Sequence, residues 1–359
     1  MQNGANVLDS YHNEVKVKSI IKLRELLAGL PPFLGEFFRY LGDQTSARTR
    51  IGYARDLQAF FLFLSDVSAN FKNKPVTEFT TDDLSKVTPN DIEEFIDYLS
   101  YYIKTTGDGD GETILQNEAK GKSRKLAAIR TMFKYLYRKQ KVTANPAELV
   151  GFPKLNNKPI TSLEADEVVK LLDEVENGDK LSSGQKKYHD LTKVRDAALI
   201  TLLLGTGIRV SECVGIDIGH IDFEVNGVRV TRKGGDEMIL YFNDEVEAAL
   251  KSYLKIRELQ QPMAGHENAL FLSIQNRRLT DRAIQNLVKK YAKLITPLKN
   301  ISPHKLRSTF GTQLYQETGD IYLVANVLGH SDVNTTRKHY AKMDDEYRRR
   351  AAKAVHLRE

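Results

Sequence analysis

The sequence predicts a mainly α-helical protein of two domains, with a small antiparallel β-sheet in the second. Apolar residues recur at helical spacing through most of the chain. The one clear period-two alternation is the pair GVRVTR and EMILYF around KGGD, which reads as a β-hairpin. A stretch with three prolines and two adjacent asparagines, NPAELVGFPKLNNKPITSLEADE, separates an N-terminal helical half from the rest. At 359 residues the chain can build two cores. Its 41% hydrophobic and 28% charged fractions are those of an ordinary globular protein. No run of eighteen apolar residues exists and the first residues lack an apolar signal region, so the expectation is a cytoplasmic protein with no membrane role. The single cysteine, Cys213, excludes an internal disulfide and a cysteine-rich zinc site.

The elements follow in order. Residues 14–29 place Val17, Ile20, Ile21, Leu23, Leu26 and Leu27 on a short amphipathic helix that Pro31 and Pro32 end. Ser46 is the N-cap expected for a helix carrying Tyr53, Leu57, Phe60, Phe61 and Leu64. Thr88, followed by Pro89 and early acids, starts another. The run TTGDGDGE at 105–112 reads as a flexible loop. A basic helix follows, with Leu126, Ile129, Met132, Phe133 and Leu136 on its inner side. Residues 1–150 are therefore expected to form helices and no strand, with the aromatics as core rather than base-stacking platforms. Residues 151–160 are the expected linker, and 161–359 the second domain. Thr161 or Ser162 caps its first helix, and helices are predicted over 163–175, 194–204, 244–258, 280–292, 303–317, 321–328 and 345–355.

The net charge of +6 is mildly basic, but its distribution says more. Nine cations lie between positions 120 and 141 with no acid among them. A solvated helix face normally mixes signs, so phosphate contact is the better reading, with Lys122, Arg124, Lys125, Arg130 and Lys134 as candidates.

Four stretches of the second domain hold polar residues that local folding does not explain. LLGTGIRVSEC ends a helix at glycines and places Arg209 after the turn, with Glu212 one helical turn on to orient it. SPHKLRSTF puts His304 and Arg307 on one helix face. LGHSDVNTT turns at Gly329 and presents His330. NTTRKHYAKM sets Tyr340 among Arg337, Lys338, His339 and Lys342. Each stretch alone has an ordinary explanation as a cap, a surface arginine or a structural histidine. Together they fit attack on a phosphodiester. Two arginines can clamp the non-bridging oxygens, histidines can move protons near neutral pH, and a phenol in cationic surroundings can serve as nucleophile. The leaving alkoxide needs a proton, which a lysine at the hairpin tip can supply. Neighbours on a strand face opposite ways, so one of Arg232 and Lys233 is expected to reach the site, and Lys233 is favoured.

The order Arg209, Lys233, His304-x-x-Arg307, His330, Tyr340 resembles the tyrosine recombinase (phage integrase) family, and GTGIRVSE, PHKLRSTFGT and LGHSDVNTT look like its signature boxes. The resemblance covers most of residues 161–345 and, by length, is greatest to Xer-type recombinases. It implies a helical core-binding domain at 1–150, an α+β catalytic domain at 161–359, and a clamp around duplex DNA. Tyr340 would form a 3′-phosphotyrosyl link, Arg209 and Arg307 would bind the scissile phosphate, and Lys233 would protonate the leaving oxygen. His304 would assist proton transfer, His330 would hydrogen-bond the phosphate, and Glu212 would support Arg209. Because the ester conserves the bond energy, no metal, ATP or other cofactor is implied.

Two features depart from the family pattern. His330 to Tyr340 spans ten positions where nine is common, so His339 occupies the usual place of the nucleophile. Ser308 stands where an Arg-His pair is frequent. The tail DDEYRRRAAKAVHLRE resembles a helix that docks into a neighbouring subunit, implying a homotetramer on two recombination sites of double-stranded DNA. The activity implied is site-specific strand exchange in the cytoplasm, at the nucleoid, with chromosome dimer resolution ahead of mobile-element integration and excision. A tyrosine-type topoisomerase and a non-catalytic DNA-binding regulator are the remaining alternatives.

Overall fold

The computed structural model describes residues 11–105, 112–155, 161–232, 235–329 and 333. The chain divides into two compact units, Met1–Asn157 and Lys158–Glu359.

The first unit contains α1 (Tyr11–Ala28), α2 (Leu34–Tyr40), α3 (Ala47–Asp66), α4 (Thr81–Leu84) and α5 (Pro89–Tyr98), then β1 (Tyr102–Thr105), β2 (Glu112–Leu115) and α6 (Ala119–Arg138). Local chemistry sets the helix starts. The Ser46 hydroxyl accepts from Thr49 N at 3.2 Å. Thr88 and Asp91 satisfy each other's backbone N–H groups, with Pro89 in the first turn where its missing N–H costs nothing. Phe37, Phe60, Phe61, Phe79, Phe95 and Phe133 are all fully buried. Phe60 meets Phe95 (5.2 Å) and Phe61 meets Phe79 (5.3 Å) edge to face, so the aromatics are core.

The expectation of a strand-free first half needs correction. β1 and β2 pair antiparallel, with Tyr102 opposite Leu115 and Thr105 opposite Glu112. Aromatic and β-branched residues, YYIKT and ETIL, flank a run of glycine and aspartate, which is a hairpin signature that reads as plain loop when composition alone is weighed. Positions 106–111 within that run lie outside the described residues.

The second unit contains α7 (Ala165–Asn177), α8 (Ser183–Thr206), α9 (Val210–Val214), β3 (Ile221–Asp222), β4 (Gly227–Thr231), β5 (Glu237–Tyr241), α10 (Asp244–Arg257), α11 (Asp281–Ile295), α12 (Pro303–Thr318) and α13 (Ile321–Leu328). Every side chain at positions 198–204 of α8 is buried, the mark of a central helix covered on all sides; α7, α10 and α12 pack on it. The sheet order is β3-β4-β5, all antiparallel, with Val228 opposite Leu240 and Val230 opposite Met238. The short β3 adds a strand that the sequence pattern does not announce.

α7 starts later than expected. Neither Thr161 nor Ser162 caps it; Glu164 stands at the N-cap and its N–H donates to Glu167 at 2.8 Å. The preceding residues are tied down instead: Leu163 N donates to Thr309 Oγ1 at 2.9 Å and Lys299 donates to the Ser162 carbonyl. The helix predicted over 345–355 lies outside the described residues. Among the described residues no helix is long and apolar enough to cross a membrane.

Candidate active site

α8 ends at Thr206, and Gly207 turns the chain with φ +61°. Glycine is required there twice over: L-residues rarely adopt that conformation, and a Cβ would lie 2.5 Å from Phe310. The turn delivers Arg209 to the N-cap of α9. Glu212, buried one turn on, accepts from Arg209 N at 3.0 Å and from Arg209 Nη1 at 2.7 Å. The carboxylate thus fixes both the backbone and the guanidinium of Arg209, as the sequence spacing suggested.

α12 opens with Pro303, which fits its first turn. His304 is exposed and Arg307, one turn on, is only 5% exposed. Arg307 Nη1 donates to the Gly207 carbonyl at 2.6 Å and Nη2 to the Leu328 carbonyl. Ser308 Oγ donates to the His304 carbonyl at 3.0 Å, so this departure from the family pattern folds back on its own helix.

The arginines converge on the C-terminus of α13. A helix leaves its last carbonyls without intrahelical partners, and they carry the negative end of its dipole. Here Leu328 O accepts from Arg307 and Gly329 O accepts from Arg209 Nη2 at 2.8 Å. The preceding carbonyl, Val327 O, accepts from Arg232 Nη2 at 3.1 Å. Three guanidiniums from three separate segments therefore hold three successive carbonyls. Gly329 ends the helix with φ +60°, and its Cα lies against the Arg232 guanidinium so closely that a Cβ would overlap it.

The strand-alternation rule favours Lys233 over Arg232. β4 ends at Thr231, so Arg232 lies in the turn, where that rule no longer applies. Its N–H donates to Asp236 O at 2.7 Å and its carbonyl accepts from Gly235 N at 3.0 Å. Burial lowers its pKa from the usual arginine value, Glu212 raises it and Arg209 lowers it further. Its charge persists regardless, because guanidinium does not deprotonate in proteins. Lys233, His330 and Tyr340 lie outside the described residues.

The basic helix is α6. Lys125 is buried, donating to Asn117 Oδ1 at 3.0 Å with Asp56 at 3.8 Å, and Arg130 donates to the carbonyls of Ala147, Glu148 and Val150. The charge run offers both as phosphate contacts. Both tie the first unit together; Lys125 is buried and has no surface to offer, while Arg130 is half-buried. Arg124 is 53% exposed while holding the buried Asp56 at 2.5 Å, Lys134 is exposed, and Lys122 reaches Ser100. Among the described residues no group of three or more His, Cys, Asp or Glu is placed to hold a metal ion.

The comparisons with known proteins place the chain that carries these arginines among enzymes that exchange DNA strands. Residues 161–347 match the phage integrase family, and the chain belongs to that family, the tyrosine recombinases. It is 33% identical over 331 residues to the tyrosine recombinase XerC of Caldanaerobacter subterraneus subsp. tengcongensis, covering 89% of this chain and 86% of that one. It is 30% identical to XerC of Thermodesulfovibrio yellowstonii, covering 85% and 88%. Among solved structures, XerH bound to a palindromic difH substrate in a post-cleavage complex matches with TM-score 0.61 and 19% identity, covering 93% of this chain and 94% of that one. The Tn1549 transposon integrase in complex with circular intermediate DNA matches with TM-score 0.60 and 21% identity, covering 89% and 94%. These two likenesses establish the fold.

Proposed function

We propose that the protein is a Xer-type site-specific recombinase that cuts and rejoins duplex DNA through Tyr340. The phenol oxygen attacks the scissile phosphorus, the bond to the 5′ oxygen breaks, and a 3′-phosphotyrosyl ester remains. His304 takes the phenolic proton, and Lys233 gives a proton to the leaving 5′ oxygen. Arg209 and Arg307 hold the non-bridging oxygens, Glu212 keeps Arg209 in place, and His330 donates to the phosphate. Attack by a 5′-hydroxyl from a second strand reverses the step and completes the exchange, so neither ATP nor a metal is needed.

The observation that carries this reading is the convergence of Arg209 and Arg307. They come from separate segments of the chain, Arg209 from the N-cap of α9 and Arg307 from α12, yet they donate to adjacent carbonyls, Gly329 and Leu328, immediately before His330. Each fork is also held by a further protein contact, so both guanidiniums are fixed at one helix end.

The first unit serves as the core-binding domain, with Lys122, Arg124 and Lys134 as its phosphate contacts. Four copies act on two DNA sites in the cytoplasm, linked through the C-terminal tail. The relatives named XerC support chromosome dimer resolution over a mobile-element role.

The test uses the full-length protein and nicked suicide duplexes of random sequence. Covalent complexes should form on a restricted set of sequences, which sequencing of the trapped DNA recovers. Tyr340→Phe should bind the same DNA without forming them. If wild type and Tyr340→Phe behave alike and neither forms an adduct, the protein is a DNA-binding regulator. Relaxation of supercoils with no preferred site would instead make it a topoisomerase.

A further inference from the structure

Arg232 is a charge that the reaction described above leaves unused, although it shares the helix end that organises the site. We infer that Arg232 is a third phosphate-contacting arginine, which donates to a non-bridging oxygen of the scissile phosphodiester beside Arg209. This rests on the strand-exchange reading of the same site.

Several independent features place it there. Its Nη2 donates to Val327 O, the carbonyl next to those taken by Arg307 and Arg209. Its guanidinium lies so close to the Gly329 backbone that only glycine leaves room for it. A guanidinium carries more N–H donors than any other side chain, and among the described residues the bond to Val327 is the one side-chain hydrogen bond Arg232 makes. Its Nε is buried with no partner among the described residues. An unfilled buried donor calls for an explanation, and the N–H groups of the same fork that the Val327 bond leaves unused are the ones a ligand oxygen would meet.

Charge leads to the same place. Arg209, Arg232 and Arg307 set three positive charges against the single carboxylate of Glu212. Glu212 already gives both oxygens to Arg209 and makes no hydrogen bond to Arg232 among the described residues. The four groups together therefore carry an excess of two positive charges. A phosphodiester carries one negative charge, and its pentacoordinate transition state adds a second on the non-bridging oxygens. The surplus matches the charge at the top of the barrier better than that of the bound substrate, the condition under which a charge accelerates a reaction. A planar fork suits two oxygens on one phosphorus, where a point charge would not.

The experiment replaces one non-bridging oxygen at the cleavage position with a methyl group. On such a methylphosphonate the charge to be neutralised is gone, and an arginine with that task becomes dispensable. Arg232→Ala and Arg232→Gln are compared with wild type on nicked suicide duplexes carrying the target recovered by covalent trapping. Single-turnover cleavage of the phosphodiester should fall by about 30-fold or more, and cleavage of the methylphosphonate should stay within about 3-fold of wild type. Arg209→Ala is the control. If Arg209→Ala is rescued by methylphosphonate and the Arg232 variants are not, or if they cleave the phosphodiester normally, the inference is overturned. If Arg209→Ala loses phosphodiester cleavage and is not rescued, the phosphate reading of the whole site fails instead. Melting curves monitor folding, and should the alanine variant be unstable, the glutamine variant, which keeps length and one donor, decides the question.

Discussion

Arg307 donates to the carbonyl of Gly207 at 2.6 Å, across a hundred residues of sequence. Gly207 is the turn that delivers Arg209, so the bond makes the placement of one arginine depend on the other. Arg307 is buried, and its second bond, to Leu328 O, fixes the end of α13 to the same point. Arg307→Ala removes the donor and leaves both carbonyls buried without it. Charge-assisted hydrogen bonds contribute about 1.5–3 kcal/mol each, so the variant should lose about 3 kcal/mol or more of stability in urea unfolding. Arg307→Lys should recover only part of that, because one ammonium cannot reproduce the fork. Covalent complex formation by the lysine variant should fall at least ~100-fold. A lysine variant with full stability and activity would show that the fork is not what the turn requires.

Gly329 and Arg232 form a second dependent pair. Gly329→Ala incurs two costs: the left-handed conformation, at about 1–2 kcal/mol, and overlap with the Arg232 guanidinium. Trimming the arginine removes only the overlap. In the Arg232→Ala background the alanine should therefore be less costly, with a coupling of about 1 kcal/mol or more in a double-mutant cycle of thermal melts. Strict additivity would mean that the guanidinium moves aside freely.

What the sequence revealed was what short-range chemistry decides. The caps at Ser46 and Thr88, the glycine turns at 207 and 329, and the His304–Arg307 spacing all depend on residues within a turn of each other, and each was legible. The hairpin at 227–241 was legible because alternation and a turn signal coincide. The β1–β2 hairpin escaped because a glycine- and aspartate-rich run dominates its composition. That Arg232 shares the helix end with Arg209 and Arg307 was not legible, because β4 ends at Thr231 and the alternation rule stops there. The α6 cations were legible as charge, but their partners were not. Asp56 meets Arg124 from 68 residues earlier, Arg130 is held by carbonyls beyond the helix, and Lys125 is buried against Asn117 and Asp56. Charge can be read along a chain, whereas pairing across it needs the fold.

Cys213 offers a test of packing behind the site. It lies on α9, is fully buried, and burial pushes its thiol up to about 12. Thiolate is the reactive form, so at pH 8 both protonation and lack of access suppress reaction. Ellman's reagent should leave the native protein unmodified over hours and titrate one thiol per chain at once in concentrated guanidinium. Rapid modification of the native protein would mean that α9 opens readily, and with it the support of Arg209.

His220 gives the catalytic unit a pH dependence whose sign follows from its surroundings. It lies between α9 and β3, and its Nδ1 accepts from Asp217 N at 3.2 Å, which requires an unprotonated nitrogen there. Burial lowers its pKa from the ordinary imidazole value. Asp217 and Glu237 raise it, Arg229 and Arg278 lower it, and the net shift is downward. The folded state therefore binds fewer protons than the unfolded chain on the acid side of neutrality. The contribution of His220 is fully present above the unfolded value of about 6.5 and is lost as pH falls through the lower folded value. Protonation would remove the acceptor for Asp217 N and set a new charge among the arginines, next to the ion pair that holds Asp217 to Arg278. Urea midpoints should therefore fall between pH 7 and pH 5 more steeply for wild type than for His220→Asn, whose amide oxygen can still accept from Asp217 N without titrating. Parallel curves for the two proteins would place the titration elsewhere and remove His220 from the account.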